Sequence, residues 1–525
     1  MEQKQLLERI LYFGTVFITG AAVLIIEVAA VRQLTPVFGG SIYVLSSVLS
    51  VILLALSLGY FIGGRLADRW PTPTALYKII TYGGVSLLVL QLVSLFFFAE
   101  LNSNSLMVGP IICAAIFFFT PALLLGMDSP YVIKLITMDR DQDKAGTYAG
   151  TTFFWSTVGS ITGSLSAGFY LLPTIGVQNT ISYTALALVV LGLASPIILA
   201  GKDAISCIMK QAQYLLAIIA VCIALLHVLQ TDFFGEDIIF HTDGLYSRIL
   251  VADGEKDGQP TRQLFRDRNH SSAIYLDSYD HVFTYTQYID IYPDLVEEPD
   301  NFLLLGGGAY TIPRRLVATD SDIKVDIVEL EPILFELAQE YFDLSDSSRI
   351  TNYPIDIRQF LDSTTNTYDV IFSDAFNSAH SIPWHLATRE YYEDIQNILS
   401  TDGFYYSNYI GSLNTDPNGM TSRFLKTIED TFPYVRMYKT DDGAPEIMQN
   451  LIIIAANQPI DTAAFADTVI TIRDTSTSTI AALEVDLDQF KHPDRVAFTD
   501  DLSPAELLMA RQTRDYFSWA AQQRD

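Results

Sequence analysis

Charge divides this chain of 525 residues into two blocks, and that division constrains its fold more than any other feature. Residues 1–230 hold 11 Lys and Arg and 10 Asp and Glu, a net charge of +1; residues 231–525 hold 21 and 50, a net charge of −29. A nearly uncharged, apolar first part followed by an acidic second part is the pattern of a membrane bundle carrying a water-soluble domain. At roughly 100 to 200 residues per domain the length predicts two to four domains with sizeable cores. A formal charge of −28 is unsuited to covering phosphates with cations, so nucleic acid is excluded as a general partner.

A crossing helix needs about 20 mostly apolar residues, and seven such runs are legible, at about 10–31, 42–64, 78–99, 107–127, 150–173, 178–200 and 213–230. Lys4, Arg9, Arg65, Arg69, Lys78, Lys134, Arg140, Lys144, Lys202 and Lys210 fall in alternate connecting segments, and the opposite face has only Arg32. The positive-inside rule then puts the first segment in the cytoplasm, and seven crossings put the acidic domain outside it. The first run is as long as a full span and lacks a small-residue cleavage site, so it reads as a span rather than a signal peptide. Glu27 lies deep in this run, where a carboxylate costs several kcal/mol unless paired or hydrated. With Arg32 it is the candidate polar pair of the membrane part, lining a polar path or fixing helix packing. Gly159, Gly163, Ser164, Ser166 and Gly168 read as a close helix-packing face. Cys113, Cys207 and Cys222 are too far apart for a zinc motif, and no metal is expected.

From Phe240 onward the pattern is β-rich, with runs such as His241–Val251 and Thr284–Tyr292 predicting a small strand-rich subdomain. After it, strands at Asn301–Leu305, Val325–Glu329, Tyr368–Phe372 and Phe404–Ser407 alternate with helices at Pro332–Phe342 and Glu390–Leu399, which predicts a doubly wound, mostly parallel Rossmann-like sheet. The domain boundaries read as 1–232, 233–298, 299–460 and a closing extension 461–525. Ligands of such sheets sit beyond the carboxyl ends of the strands, and there the sequence has the glycine turn Gly306-Gly307-Gly308, Glu329 about 20 residues later, Asp356, and Asp374. Glycines let the backbone turn tightly and approach a ligand, and an acid at the second strand's end accepts hydrogen bonds from a ribose. No lysine follows the turn, so triphosphate hydrolysis is disfavoured. His380 and His385 lie in the loop after Asp374, with Pro383 stiffening the approach of Trp384 and His385.

These residues resemble the spermidine synthase-like (polyamine aminopropyltransferase) family in its membrane-fused form. Leu305-Gly-Gly-Gly308, Val328-Glu-Leu-Glu331, Asp356 and Tyr368-Asp-Val-Ile-Phe-Ser-Asp374 are similar to the family's glycine turn, ribose-binding acid, adenine-side acid and catalytic acid in order. Phe38-Gly-Gly-Ser41, Gly59–Arg69, Gly159–Pro173 and Thr499–Pro504 are similar to the fused members. The resemblance implies transfer of an aminopropyl group from decarboxylated S-adenosylmethionine, or a related transfer from S-adenosylmethionine, to an amine, with Asp374 taking the proton. Tyr246, Tyr285, Gln287, Asn377 and His385 are the implied substrate-side residues. Two positions depart from the soluble members, which have an Asp where this chain has Ala309 and a second Asp where it has Asn377; both losses weaken the case for putrescine as acceptor.

Three readings follow. The first is a transferase of the bilayer, of the bacterial inner-membrane kind, acting on an amine or a lipid-linked acceptor. The second is a degenerate transferase fold that serves as an assembly subunit or homo-oligomer. In the third, the bundle transports a small cation that the acidic domain senses.

Overall fold

The computed structural model describes residues 2–100, 108–138, 144–200, 237–267, 269–297, 299–344, 348–375, 382–472 and 476–522. Two compact units divide at Glu236 and Asp237.

The first unit is helical: α1 (Glu2–Phe38), α2 (Ile42–Arg69), α3 (Pro73–Glu100), α4 (Gly109–Phe117), α5 (Phe119–Gly126), α6 (Asp128–Met138), α7 (Ala145–Ser166) and α8 (Leu172–Ala200). By length and composition four stretches can cross a bilayer: Leu6–Phe38, Ile42–Arg69, Pro73–Ser94 and Ala145–Leu199. There are five if Gly109–Phe117 and Phe119–Met138, bent by 51° at their junction, form one crossing. The first six expected runs map onto these stretches. The run 213–230, with Lys202, Lys210, Cys207 and Cys222, lies outside the described residues, as does Arg140, and two expected runs merge in the stretch of 55 residues from Ala145 to Leu199.

That stretch is nevertheless not one rod. Thr15 Oγ1 meets Tyr77 Oη at 3.1 Å and Gln33 Nε2 donates to Ser94 Oγ at 2.9 Å, so α1 and α3 run in the same direction. Gly159 and Gly163 lie against the backbone of Phe17 and Ala21, so α7 also runs with α1. Gly84 lies against Ala185 and Gly192 against Tyr77, so α8 runs against α3. The chain therefore doubles back between α7 and α8, beyond a π-turn at Ala167–Leu171 and at Gly176, whose φ of 76° and ψ of 173° no helix holds. The expected partnership of Glu27 with Arg32 is absent among the described ion pairs: five positions apart on an α-helix places two side chains about 140° apart. The deeply buried acid of the bundle is instead Asp128, 1% exposed, beside Thr19 and with neither carboxylate oxygen in a well-formed hydrogen bond among the described residues.

The second unit begins with an antiparallel sheet of four strands, β1 (Ile238–Asp243), β2 (Arg248–Lys256), β3 (Gln259–Arg266) and β4 (Asn269–Tyr275), in sequential order. Residues Thr284–Ile291, expected as a strand, form a 3₁₀ helix. Its three-residue period brings Tyr285, Tyr288 and Ile291 to one face, where Tyr288 Oη donates to the Lys439 carbonyl at 2.8 Å, a convergence that a strand's alternation could not give. The main sheet has seven strands, β5 (Asn301–Leu305), β6 (Lys324–Val328), β7 (Ile350–Tyr353), β8 (Tyr368–Ser373), β9 (Leu399–Gly411), β10 (Tyr434–Lys439) and β11 (Gln449–Ala456), ordered β10-β11-β9-β8-β5-β6-β7. The five from β5 to β9 are parallel, the four expected strands joined by β7; β11 and β10 continue the sheet antiparallel.

Helices α9 (Thr311–Thr319), α10 (Ile333–Tyr341), α11 (Ile357–Ser363), α12 (Arg389–Ile398) and α13 (Met420–Glu429) pack on the two faces of this sheet. The faces carry separate cores, one built on Phe302, Leu304, Ile327 and Phe372, the other on Leu303, Leu305, Ile371 and Tyr405. The alternation of strand residues between the cores is the period of two that makes a sheet buried on both sides read as a continuous apolar run. The closing segment forms the hairpin strands β12 (Val469–Ile472) and β13 (Ser476–Thr479) and helix α14 (Ala505–Gln522).

Candidate active site

At the carboxyl ends of β5, β6 and β8 the chain makes three turns that close on one another. Gly306 N–H donates to the Val328 carbonyl at 2.9 Å and Asp374 N–H to the Leu305 carbonyl at 2.8 Å. Gly306 has φ of 100°, and a Cβ there would stand 2.6 Å from the Asp374 carbonyl oxygen, so glycine is what lets the β5 and β8 turns touch. Glu329, 3% exposed, accepts from the Gly307 and Gly308 amides at 2.9 and 3.3 Å through Oε2 and from the Glu331 amide at 2.9 Å through Oε1. The acid thereby fixes the glycine turn and keeps acceptor capacity toward the cavity.

Asp374 is the centre of a second cluster. Its Oδ2 accepts from Tyr285 Oη at 2.9 Å and its Oδ1 from Asn408 Nδ2 at 2.7 Å; Asn450 Nδ2 in turn donates to Asn408 Oδ1 at 2.9 Å. Burial pushes the Asp374 carboxyl up to about 6, although the Asn408 and Tyr285 hydrogen bonds favour its charged form. Burial, and then the carboxylate beside it, holds the Tyr285 hydroxyl well above its ordinary range, so it remains a donor.

Both clusters open on a cavity of roughly 370 Å³. The main sheet supplies Gly306, Gly308, Glu329, Asp374, Asn408 and Asn450, with Leu330, Asp356 and Ile357 at one end; the small sheet supplies Arg266, His270, Ser271 and Ser272. Asp356 caps α11, accepting from the Arg358 and Gln359 amides at 2.8 and 3.4 Å, and its Oδ2 lies 3.6 Å from His385 Nε2. The closing motif braces this end: Asp500 accepts from Thr388 Oγ1 at 2.7 Å and from Arg358 Nη2 at 3.0 Å. His270 is held below its ordinary pKa by burial and by Lys256, which keeps it neutral near pH 7.

Of the residues read from the sequence, Gly306, Gly308, Glu329, Asp356, Asp374, Tyr285 and His385 line this one cavity, with the Gly307 amide on Glu329. Two lie elsewhere. Tyr246 is on the outside of the β1–β2 turn, whose amides are bound by Glu331, and Gln287 is tied to the backbone of Thr471 on β12. Asn377 and His380 fall outside the described residues. Ala309 is 2% exposed and packs in the core, its amide donating to Ser272 Oγ at 3.1 Å. Sequence reasoning missed Asn408, Asn450, Arg266 and His270; only Asn408 left a signal, as a polar residue late in the buried run Phe404–Tyr409.

Residues 282–460 match the family described as spermine/spermidine synthase domain. The segment is a spermidine synthase-like domain. Polyamine aminopropyltransferase 2 of Streptomyces coelicolor is 26% identical over 420 residues, spanning 75% of this chain and 73% of that protein. Polyamine aminopropyltransferase 1 of the same organism is 22% identical over 416 residues, spanning 75% of each. Both alignments are longer than the unit from Asp237 to Asp525, so the likeness runs from the spermidine synthase-like domain into the helical unit. Among solved structures, a probable spermidine synthase from Corynebacterium glutamicum aligns with a TM-score of 0.41 and 19% identity, over 50% of this chain and 97% of that one.

Proposed function

We propose that the chain is a membrane-seated transferase that binds a sulfonium nucleoside of the S-adenosyl type and passes an alkyl arm from it to an amine. The observation that carries this reading is Asp374, a buried carboxylate with its conjugate acid near pH 6, two donors holding its orientation, and a cavity in front of it. The cavity suits such a nucleoside. Three carboxylates, Glu329, Asp356 and Asp374, converge on it, faced among the described residues by His385 Nε2 at 3.6 Å from Asp356 and Arg266 at 4.0 Å from Glu329, and Leu330 and Ile357 offer apolar walls for a base. Glu329 would hold the ribose and Asp356 the base's amino group. Asp374, ionised above about pH 6, steers a protonated amine and accepts its proton, freeing the lone pair to attack.

The test is a melting shift of the purified protein with decarboxylated S-adenosylmethionine, S-adenosylmethionine and methylthioadenosine. At 100 times its dissociation constant a ligand should stabilise by about 2.7 kcal/mol. Glu329→Ala should lose the shift, and Asp374→Asn should keep it while losing turnover. Ala309 favours a second reading, a degenerate assembly subunit; absence of a shift with all three nucleosides selects it. For the helical unit, the apolar length of α1, α2 and α3 supports a seat in a lipid bilayer. Labelling of a cysteine introduced in the acidic unit of intact cells by a membrane-impermeant thiol reagent tests its expected extracytoplasmic side.

A further inference from the structure

We propose that Arg266 receives a carboxylate at the far end of the donor's three-carbon arm, so that this site selects S-adenosylmethionine over its decarboxylated form. The inference rests on the nucleoside reading of the cavity and adds the donor's identity to it.

Arg266 is the last residue of β3, and its side chain, a fifth exposed, lines the cavity. Its Nε lies 3.3 Å from Ser247 Oγ, which fixes the plane of the guanidinium. Nη1 stands 4.0 Å from Glu329 Oε1, too far for a hydrogen bond, and no described residue accepts from either terminal nitrogen. Arg266, Glu329 and Asp374 line the same cavity, and the Arg266 charge bears on Asp374 as well.

That cavity is where the arm must lie. If Glu329 holds the ribose and Asp374 positions the attacking amine, the sulfur and the carbon under attack are between them, and the arm leaves from the same sulfur. An arm ending in an ammonium alone would put a second cation beside the guanidinium. An arm that also carries a carboxylate meets a planar fork of donors suited to bind it through two hydrogen bonds. Selection therefore comes from repulsion of one donor as well as attraction of the other. His270, held neutral, adds no competing charge, and Ser271 supplies a hydroxyl on the same wall.

The transferred group would then be 3-amino-3-carboxypropyl. The amine nitrogen forms a bond to the arm's carbon next to sulfur, the bond from that carbon to sulfur breaks with its electron pair remaining on sulfur as methylthioadenosine, and the amine's proton passes to Asp374.

The experiment is titration calorimetry on the full chain in detergent with S-adenosylmethionine, its decarboxylated form and methylthioadenosine, for wild type, Arg266→Met and Arg266→Lys. The expected result is wild-type preference for S-adenosylmethionine of about tenfold or more, lost or inverted in Arg266→Met and partly kept in Arg266→Lys. Methylthioadenosine, which lacks the arm, should bind all three proteins alike and so reports an intact nucleoside seat. Equal affinities in the wild type, or preference for the decarboxylated donor, with methylthioadenosine bound normally, overturns the assignment of Arg266 and leaves the nucleoside reading standing. Failure of all three ligands to bind the wild type removes the nucleoside reading and this inference with it.

Discussion

A carboxylate buried as Asp374 is buried costs stability once it ionises, a cost that its proposed role as a base near neutrality would account for. Its pKa in the folded state, about 6, lies above the ordinary 3.8, so the folded state holds the proton more tightly than the unfolded chain. Stability from this group is complete below about pH 4 and is lost as pH rises through 6. Two outcomes follow. The Tm of Asp374→Asn, measured by calorimetry against the wild type, should gain on it as pH rises from about 4 to 7. Turnover at saturating substrate should fall about tenfold per pH unit below about 6. The Asn408 hydrogen bond favours the ionised form, so Asn408→Ala should move that limb to higher pH; an unmoved limb would assign the titration to another group. Asp374, Glu329 and Asp356 were legible because acids at strand ends stand out in an apolar background. Arg266 was not, because it reaches the cavity from a different sheet and no local spacing records that contact.

Elements carry the next level of constraint. The alternation Thr284–Tyr292 reads as a strand, yet the segment winds into a 3₁₀ helix because Tyr285, Tyr288 and Gln287 each find a partner far away in sequence, on Asp374, Lys439 and Thr471. Such tertiary contacts override a short local pattern. The β5 turn is more rigidly specified. Gly306→Ala must place a methyl group against the Asp374 carbonyl at a φ of 100°, and should destabilise the acidic unit by about 1–3 kcal/mol and weaken nucleoside binding, as read by urea melts and melting shifts. In the helical unit, Gly159 and Gly163 of the small-residue face read from the sequence make a contact between backbones, and Gly168 does not: a Cβ at Gly159 would stand 2.0 Å from the Phe17 carbonyl oxygen. Gly159→Leu should therefore separate α1 from α7 and lower the melting temperature in detergent, while Gly168→Leu, which faces open space, should not.

For the whole molecule, the charge division was the most dependable signal, placing the boundary near residue 231 where the units divide at 236 and 237. Four of the five parallel strands followed from their apolar runs; β7, Ile-Thr-Asn-Tyr and only partly buried, did not. The antiparallel pair β10 and β11 did not, since direction within a sheet is set by the connection rather than by composition. The six described runs were legible as separate apolar segments, whereas the 51° bend in the fourth and the reversal at Gly176 were not, because both are made by backbone angles at a few residues. Both cores of the acidic unit lie within residues 237–525, so that segment, expressed alone, should be soluble and melt cooperatively; aggregation on expression would show that it depends on the helical unit. The two acids after β6 have a further consequence. Glu329 binds the glycine turn of the large sheet, and Glu331, two residues later, accepts from the Leu245, Tyr246 and Ser247 amides of the small one. A one-residue insertion or deletion between them would leave one sheet unfastened, so this short segment can drift in composition over evolutionary time only while its length is held constant.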